Sequence, residues 1–370
     1  MRIGIDVRSL AHNLTGVQRY TFSLIEALLK IDKENQYILF PRGINQTASN
    51  TDKRKNLLLQ IAQWTKAVSW EQLLLPLDAL CCNIDTFHFP AYAAPLLFPC
   101  PYVVTIHDMI YQLYPEETVP FFQTYLNVMT PLIAKMAKKI ITVSQNSKED
   151  IMRLLNIPED KISVIYPGIS ESFKPAKDST LLQRVLGKYQ ISSSYVLAVG
   201  TLEPRKNMVR LIKAFSVLKR AKQYDGQLVV VGGKGWFYDE IFQAVERLSL
   251  KKDVIFTGYV PDQELVCLYN GARVFVFPSL YEGFGAPPLE AMTCGVPVIT
   301  SKASSLPEIV ADAAILINPY DVSELAAAIA DLLHDEKLQT ELTEAGFRNV
   351  QRFSWDKAAR DTLAVYNSIA

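Results

Sequence analysis

The run Val274-Phe-Val-Phe-Pro278-Ser-Leu-Tyr-Glu282-Gly-Phe-Gly-Ala-Pro-Pro-Leu-Glu290 carries the reading of the fold. A short β-rich apolar segment leads into a glycine turn, and the turn into a helix. Gly283 and Gly285 let the backbone come close to a ligand and take conformations that a side chain would forbid. Pro287 and Pro288 stand at the helix start, where a missing N–H costs least. The unpaired N–H groups there, with the positive end of the helix dipole, make an anion site suited to a diphosphate. Glu282 and Glu290 flank that site. An acid beside a phosphate repels it, so their targets are neutral hydroxyls.

Working outward, the same alternation of strand and helix fills the chain, the pattern of parallel sheets with covering helices. In the first half, strands are expected at residues 2–5, 36–40, 86–89, 102–106, 139–143 and 161–166, and helices at 17–30, 120–137 and 147–155. Residues 167–180 read as a linker. In the second half, strands are expected at 195–199, 227–231, 254–257, 274–277, 298–300 and 314–317, and helices at 208–222, 238–248, 262–270, 289–293 and 322–333. Two such series point to an α/β protein with two Rossmann-like domains facing each other across a cleft. Ligands of such sheets bind beyond the carboxyl ends of the strands. That rule selects Thr15-Gly16, His107-Asp108, Ser144 and the segments 200–207, 232–235, 258–261 and 278–285.

Composition removes several function classes. The 370 residues are 49% hydrophobic and 21% charged, as in a folded globular protein. Lys plus Arg and Asp plus Glu number 38 each, so no global field draws the chain to nucleic acid. Two local basic clusters, Lys53-Arg54-Lys55 and Lys135/Lys138/Lys139, read as solvated faces or as contacts for anionic lipid. Five cysteines without repeating spacing form neither a disulfide framework nor a metal site. The start of the chain reads as a strand instead of a signal peptide, so a cytoplasmic location is expected. Residues 89–106 lack charge over nearly a bilayer's thickness, but Pro90, Pro95, Pro99 and Pro101 rule out a helix; a loop and a buried strand are expected there.

Three further constellations lie at strand ends. In Gly200-Thr-Leu-Glu-Pro-Arg205-Lys206-Asn207, the Arg fork and the Lys point charge suit a leaving diphosphate. In Thr105-Ile-His107-Asp108, His107 could hydrogen-bond a sugar hydroxyl with Asp108 fixing its ring, whereas His12, His88 and His334 read as ordinary packed or surface residues. Gly16 precedes a helix, a weaker signal, as is Gly232-Gly233-Lys234-Gly235, which lacks the full dinucleotide spacing.

Taken together these motifs resemble the retaining GT-B glycosyltransferases of family 4, over nearly the whole chain. The glutamate pair separated by seven residues, here Glu282 and Glu290, is the most specific mark. The resemblance implies a GT-B fold, with residues 1–172 and a returning helix 355–370 binding acceptor and residues 173–354 binding donor. It puts Glu282 and His107 at the transferred sugar, Glu290 at the ribose, and Arg205 and Lys206 at the diphosphate. Gly16 lies near the diphosphate and acceptor, and Gly258, Tyr259 and Val260 at the base; Gly283, Phe284, Gly285, Ala286 and Leu289 complete the donor loop. Asn207 stands where many members have glycine. The segment around Arg205 is similar to that of mannosyltransferases of bacterial polysaccharide assembly. Hexose transfer with retention follows as the expectation. The donor would be a nucleotide diphosphate sugar, GDP-mannose ahead of UDP-sugars. The acceptor would be a glycan or lipid-linked glycan, with no metal, no cofactor, no nucleic-acid partner and peripheral contact with the inner membrane face. The alternatives are a sugar-nucleotide epimerase or phosphorylase, a non-catalytic sugar-nucleotide binder and, more distantly, a dehydrogenase.

Overall fold

Valine- and isoleucine-rich segments with both faces buried are what parallel sheets covered by helices require. In the computed structural model, which describes residues 1–11, 16–41, 70–117, 120–176, 179–192 and 194–369, these segments pair into two six-stranded sheets. The chain divides into two units, Met1–Gly168 with Ser354–Ala370, and Ile169–Phe353.

The first unit holds β1 (Arg2–Asp6), β2 (Gln36–Phe40), β3 (Thr86–Phe89), β4 (Tyr102–Thr105), β5 (Lys139–Thr142) and β6 (Ile162–Val164). They are all parallel, in the order β2-β1-β3-β4-β5-β6. One layer of the core joins Phe87, Phe89, Val104 and Ile140 to Leu126 and Ile133 of the helix Pro120–Met136. The chain's final helix, Trp355–Asn367, belongs to this unit and packs along the helix Gly16–Ile31. Its Tyr366 is fully buried and hydrogen-bonds His88 Nδ1 at 2.6 Å.

The second unit holds β7 (Tyr195–Val199), β8 (Gln227–Val231), β9 (Val254–Gly258), β10 (Val274–Phe277), β11 (Val298–Ser301) and β12 (Ala314–Ile317). The order β9-β8-β7-β10-β11-β12 is the 3-2-1-4-5-6 arrangement of dinucleotide-binding sheets. It puts a topological switch point between β7 and β10, where the crossovers leave in opposite directions and open a crevice beyond the strand ends. Leu211, Ile212 and Phe215 of the helix Met208–Arg220 pack with Val196, Val230 and Val276 beneath it.

The expected strands occur, with ends shifted by at most a residue or two. The region 89–106 is a loop leading into β4. Several helices differ from expectation. The helix expected at 289–293 is Ala286–Thr293, starting one turn earlier so that the prolines fall in its first turn. The stretch read as a linker runs directly into a helix, Ser179–Tyr189. Helices at Leu75–Cys81, Leu306–Val310 and Glu336–Val350 were not expected. His12, Thr15 and the cluster Lys53-Arg54-Lys55 lie outside the described residues. Among the described residues no helix is long and apolar enough to cross a membrane.

Candidate functional site

The switch point of the second sheet brings together the loops after β7 and β10. After β7 the chain makes a single 3-10 turn, Pro204–Lys206, which ends on Asn207 in the left-handed conformation (φ +61°, ψ +28°). The Asn207 amide donates to Pro278 O at 3.0 Å and to Pro319 O at 2.7 Å, stitching this turn to the loop after β10 and to the segment after β12. The backbone adds another stitch, Leu280 N to Arg205 O at 2.8 Å. These bonds tie the two loops to each other.

Their charged side chains meet at one carboxylate. Lys206 Nζ lies 2.6 Å from Glu282 Oε1, and Arg205 Nη1 lies 2.9 Å from Glu282 Oε2. Arg205 also donates to Tyr281 O at 2.7 Å and pairs with Glu203. Lys206 Nζ sits 5.2 Å above the centre of the Phe277 ring. The cluster is buried, so desolvation costs are large and pairing is obligatory. Burial alone would raise the Glu282 pKa; the Arg205 and Lys206 cations outweigh it and hold the carboxyl down at about 2. Burial first, then Arg205, pulls Lys206 below its ordinary value, against the opposing pull of Glu282 and Glu203. Glu282 is thus ionised at neutral pH and can accept hydrogen bonds but cannot donate a proton.

The glycine loop is held from below. Glu282 N donates to Ser304 Oγ at 2.9 Å, and Ser305 Oγ lies 2.9 Å from both Glu282 O and Phe284 O. Gly285 is the residue before the helix Ala286–Thr293 and has φ +94°; a Cβ there would also meet Leu306 Cδ2 at 2.7 Å. No side chain caps this helix, and because Pro287 and Pro288 carry no N–H, the N–H groups of its first turn are those of Ala286 and Leu289. Glu290, one turn in, is buried and accepts from Tyr269 Oη at 2.9 Å. Leu289 is fully buried beneath it. Beyond β9, Gly258 O accepts from Gly232 N, Tyr259 is exposed and Val260 is buried.

In the first unit, His107 Nε2 lies 2.8 Å from Pro90 O, and its ring meets the Tyr20 ring edge-on at 4.8 Å. Asp108 does not fix this ring: its carboxylate accepts from Ile110 N, two residues on, at 3.1 Å. Burial pulls the His107 pKa below its ordinary value, with the Pro90 carbonyl and Asp108 acting against that shift. Gly16 is exposed at the first position of its helix, with open space where a Cβ would lie. Ser144 caps the helix Gln145–Leu155. Within the second unit, then, Arg205, Lys206 and Glu282 are in direct contact, and Glu290 sits one turn into the helix behind the same loop.

Residues 14–173 match the family described as Glycosyltransferase Family 4, and residues 188–349 match Glycosyl transferases group 1. O-antigen chain mannosyltransferase B of Escherichia coli is 32% identical over 99% of both chains. This chain belongs to the family 4, group 1 glycosyltransferases. Its architecture is GT-B: sucrose-phosphate synthase of Thermosynechococcus elongatus superposes with TM-score 0.78 at 21% identity, covering 99% of this chain and 98% of that one. The Anabaena protein HepE, solved in complex with UDP-glucose, superposes with TM-score 0.76 at 22% identity over the whole of both chains.

In this glycosyltransferase the selected segment 200–207 includes Glu203 without giving it a role, and Ser304 and Ser305 fall outside every selected segment. Ser304 and Ser305 follow β11, so the strand-end rule would have selected them had it been applied to that strand as well.

Proposed function

We propose that this glycosyltransferase moves mannose from GDP-mannose, with UDP-sugars the next candidates, to a hydroxyl of a glycan or lipid-linked glycan in cell-surface polysaccharide assembly. The observation that carries the site assignment is the meeting of Arg205 and Lys206 on Glu282 in front of an uncapped helix N-terminus. The name and full-length similarity of the Escherichia coli mannosyltransferase support the choice of sugar, and the UDP-glucose complex of HepE supports a nucleotide sugar as donor.

In this reading the second unit takes the donor and the first unit the acceptor. The diphosphate displaces Glu282 from the two cations, which frees the carboxylate to accept hydrogen bonds from hydroxyls of the transferred sugar. Glu290 holds the ribose, Gly258 to Val260 hold the base, and His107 bonds a sugar hydroxyl. The bond from the anomeric carbon to the phosphate oxygen breaks while the acceptor oxygen bonds that carbon on the same face. The acceptor's proton passes to the departing phosphate. Charge grows on the leaving diphosphate, and Arg205 and Lys206 stabilise that growth more than they stabilise the bound donor. These two side chains supply the positive charge that a metal ion would otherwise bring, so transfer proceeds in chelator. Contact with a membrane surface belongs to the same reading, because a lipid-linked acceptor is presented there.

Thermal shift with GDP-, UDP-, ADP- and dTDP-sugars tests the donor. A ligand at about 100 times its Kd stabilises by about 2.7 kcal/mol. GDP-mannose should raise the Tm most; a panel in which no nucleotide sugar moves the Tm contradicts the reading.

A further inference from the structure

Ser279 is fully buried in the loop after β10, three residues before Glu282. Buried hydroxyls are ordinarily hydrogen-bonded, because an unpaired one forfeits its bonds to water. The Ser279 hydroxyl has no hydrogen-bond partner, and among the described residues it is the one such side-chain group in this loop. It nevertheless lies against Glu282. Burial pushes that carboxyl up, and Arg205, Lys206 and, as the last contributor, the Ser279 hydroxyl hold it down. The main chain of Glu282 is pinned on both sides, with its N–H donating to Ser304 Oγ at 2.9 Å and its carbonyl accepting from Ser305 Oγ at 2.9 Å. Any departure of the carboxylate from Arg205 and Lys206 is therefore a turn of the side chain alone, in a loop that stays in place.

When a diphosphate takes the two cations, Glu282 becomes a buried carboxylate without a counter-ion. Such a group either finds a hydrogen-bond donor or takes up a proton, and a protonated Glu282 loses the charge with which it holds sugar hydroxyls. Glu203, the remaining charged group of the cluster, is an anion paired with Arg205 and repels it. Ser279 is a neutral donor with nothing else to bond. We propose that Ser279 is a positioning residue for sugar transfer: its hydroxyl donates to the Glu282 carboxylate in the donor complex, keeping it ionised and aimed at the hydroxyls of the transferred sugar. The inference rests on the reading of Arg205 and Lys206 as the diphosphate site and adds the group that receives Glu282 once they are taken. An ionised carboxylate has about four acceptor positions, so one bond from Ser279 leaves others for the sugar. With Glu282 on the cations the hydroxyl is unpaired, and with Glu282 displaced it is paired. Ser279 thus favours the donor-bound arrangement.

Calorimetric titration with GDP-mannose and thermal unfolding of the full chain, wild type beside Ser279→Ala, test this. Removing an unpaired buried hydroxyl costs nothing in the free protein, so the Tm of Ser279→Ala without nucleotide should equal or exceed that of wild type. Donor affinity should fall about 10- to 100-fold, the loss of a hydrogen bond to a charged group. The change in kcat should be much smaller, because the bond persists through transfer. Ser279→Cys, which keeps a weak donor, should fall between the two. In a Glu282→Gln background the same Ser279→Ala change should cost only a small part of that factor. Equal donor affinity in Ser279→Ala and wild type overturns the proposal and leaves the diphosphate reading standing. So does a loss of affinity just as large in the Glu282→Gln background, or a lower Tm without nucleotide beside an undiminished response to donor, which marks a packing role. A wild type that binds none of the four nucleotide sugars contradicts the functional reading itself, and this role with it.

Discussion

Asn207 holds three things at once: a left-handed turn, the Pro278 carbonyl and the Pro319 carbonyl. Asparagine tolerates φ above zero better than most residues and has two amide hydrogens to donate. This explains why it can stand where many family members have glycine. Asn207→Gly keeps the turn and loses both bonds, which should cost about 1–3 kcal/mol; Asn207→Ala adds left-handed strain of about 1 kcal/mol. Urea unfolding should thus rank wild type above Gly and Gly above Ala, and an Ala variant more stable than the Gly variant contradicts this role. Residue type and strand-end position single out Arg205, Lys206 and Glu282 in the sequence, whereas Glu290 is singled out by its spacing from Glu282 across the glycine loop. The mutual pairing of the first three was not legible, because it depends on which strands are neighbours. Nor was the role of Ser304 and Ser305, which act on backbone atoms and leave no charge signature.

Secondary-structure elements were legible where one period dominates and obscured where a glycine interrupts it. The helices Ser179–Tyr189 and Glu336–Val350 each contain a glycine, Gly187 and Gly346, which lowers the helix propensity of the segment. Gly346 is a packing notch: a Cβ there would press on Met292 Cγ at 3.1 Å, where this helix crosses Ala286–Thr293. The final helix is tied to the first sheet through a buried ring, with Tyr366 Oη at His88 Nδ1 and Thr105 Oγ1 at His88 Nε2, 2.8 Å away. A neutral imidazole satisfies both hydroxyls, one as donor and one as acceptor. Burial, reinforced by the neighbouring His107, lowers the His88 pKa to about 3. Above a pH of about 6.5 this ring is neutral in folded and unfolded chains alike. Below it the unfolded ring takes a proton that the folded ring refuses, so stability falls by about 1.4 kcal/mol per pH unit as pH drops toward the folded value. His88→Gln should remove that component, flattening the fall in urea midpoint between neutral and mildly acidic pH. An equal slope in variant and wild type would show that His88 does not titrate this way.

At the scale of the whole chain, alternation of short apolar runs with helix-periodic segments made the two parallel sheets legible, while strand order was not. No local pattern says that β10 lies beside β7. Yet that adjacency creates the switch point and sets Glu282 against Arg205 and Lys206. On the proposed reading, this pair of cations stabilises a departing diphosphate. The most direct test of this is kcat for mannose transfer from GDP-mannose by Lys206→Ala, with Tm measured on the same preparation. Arg205 remains to pair Glu282 in the variant, so the fold should persist while kcat falls about 10²- to 10³-fold, the loss seen when one preorganised stabilising group is removed. Turnover at the wild-type rate in a folded Lys206→Ala variant would contradict the account.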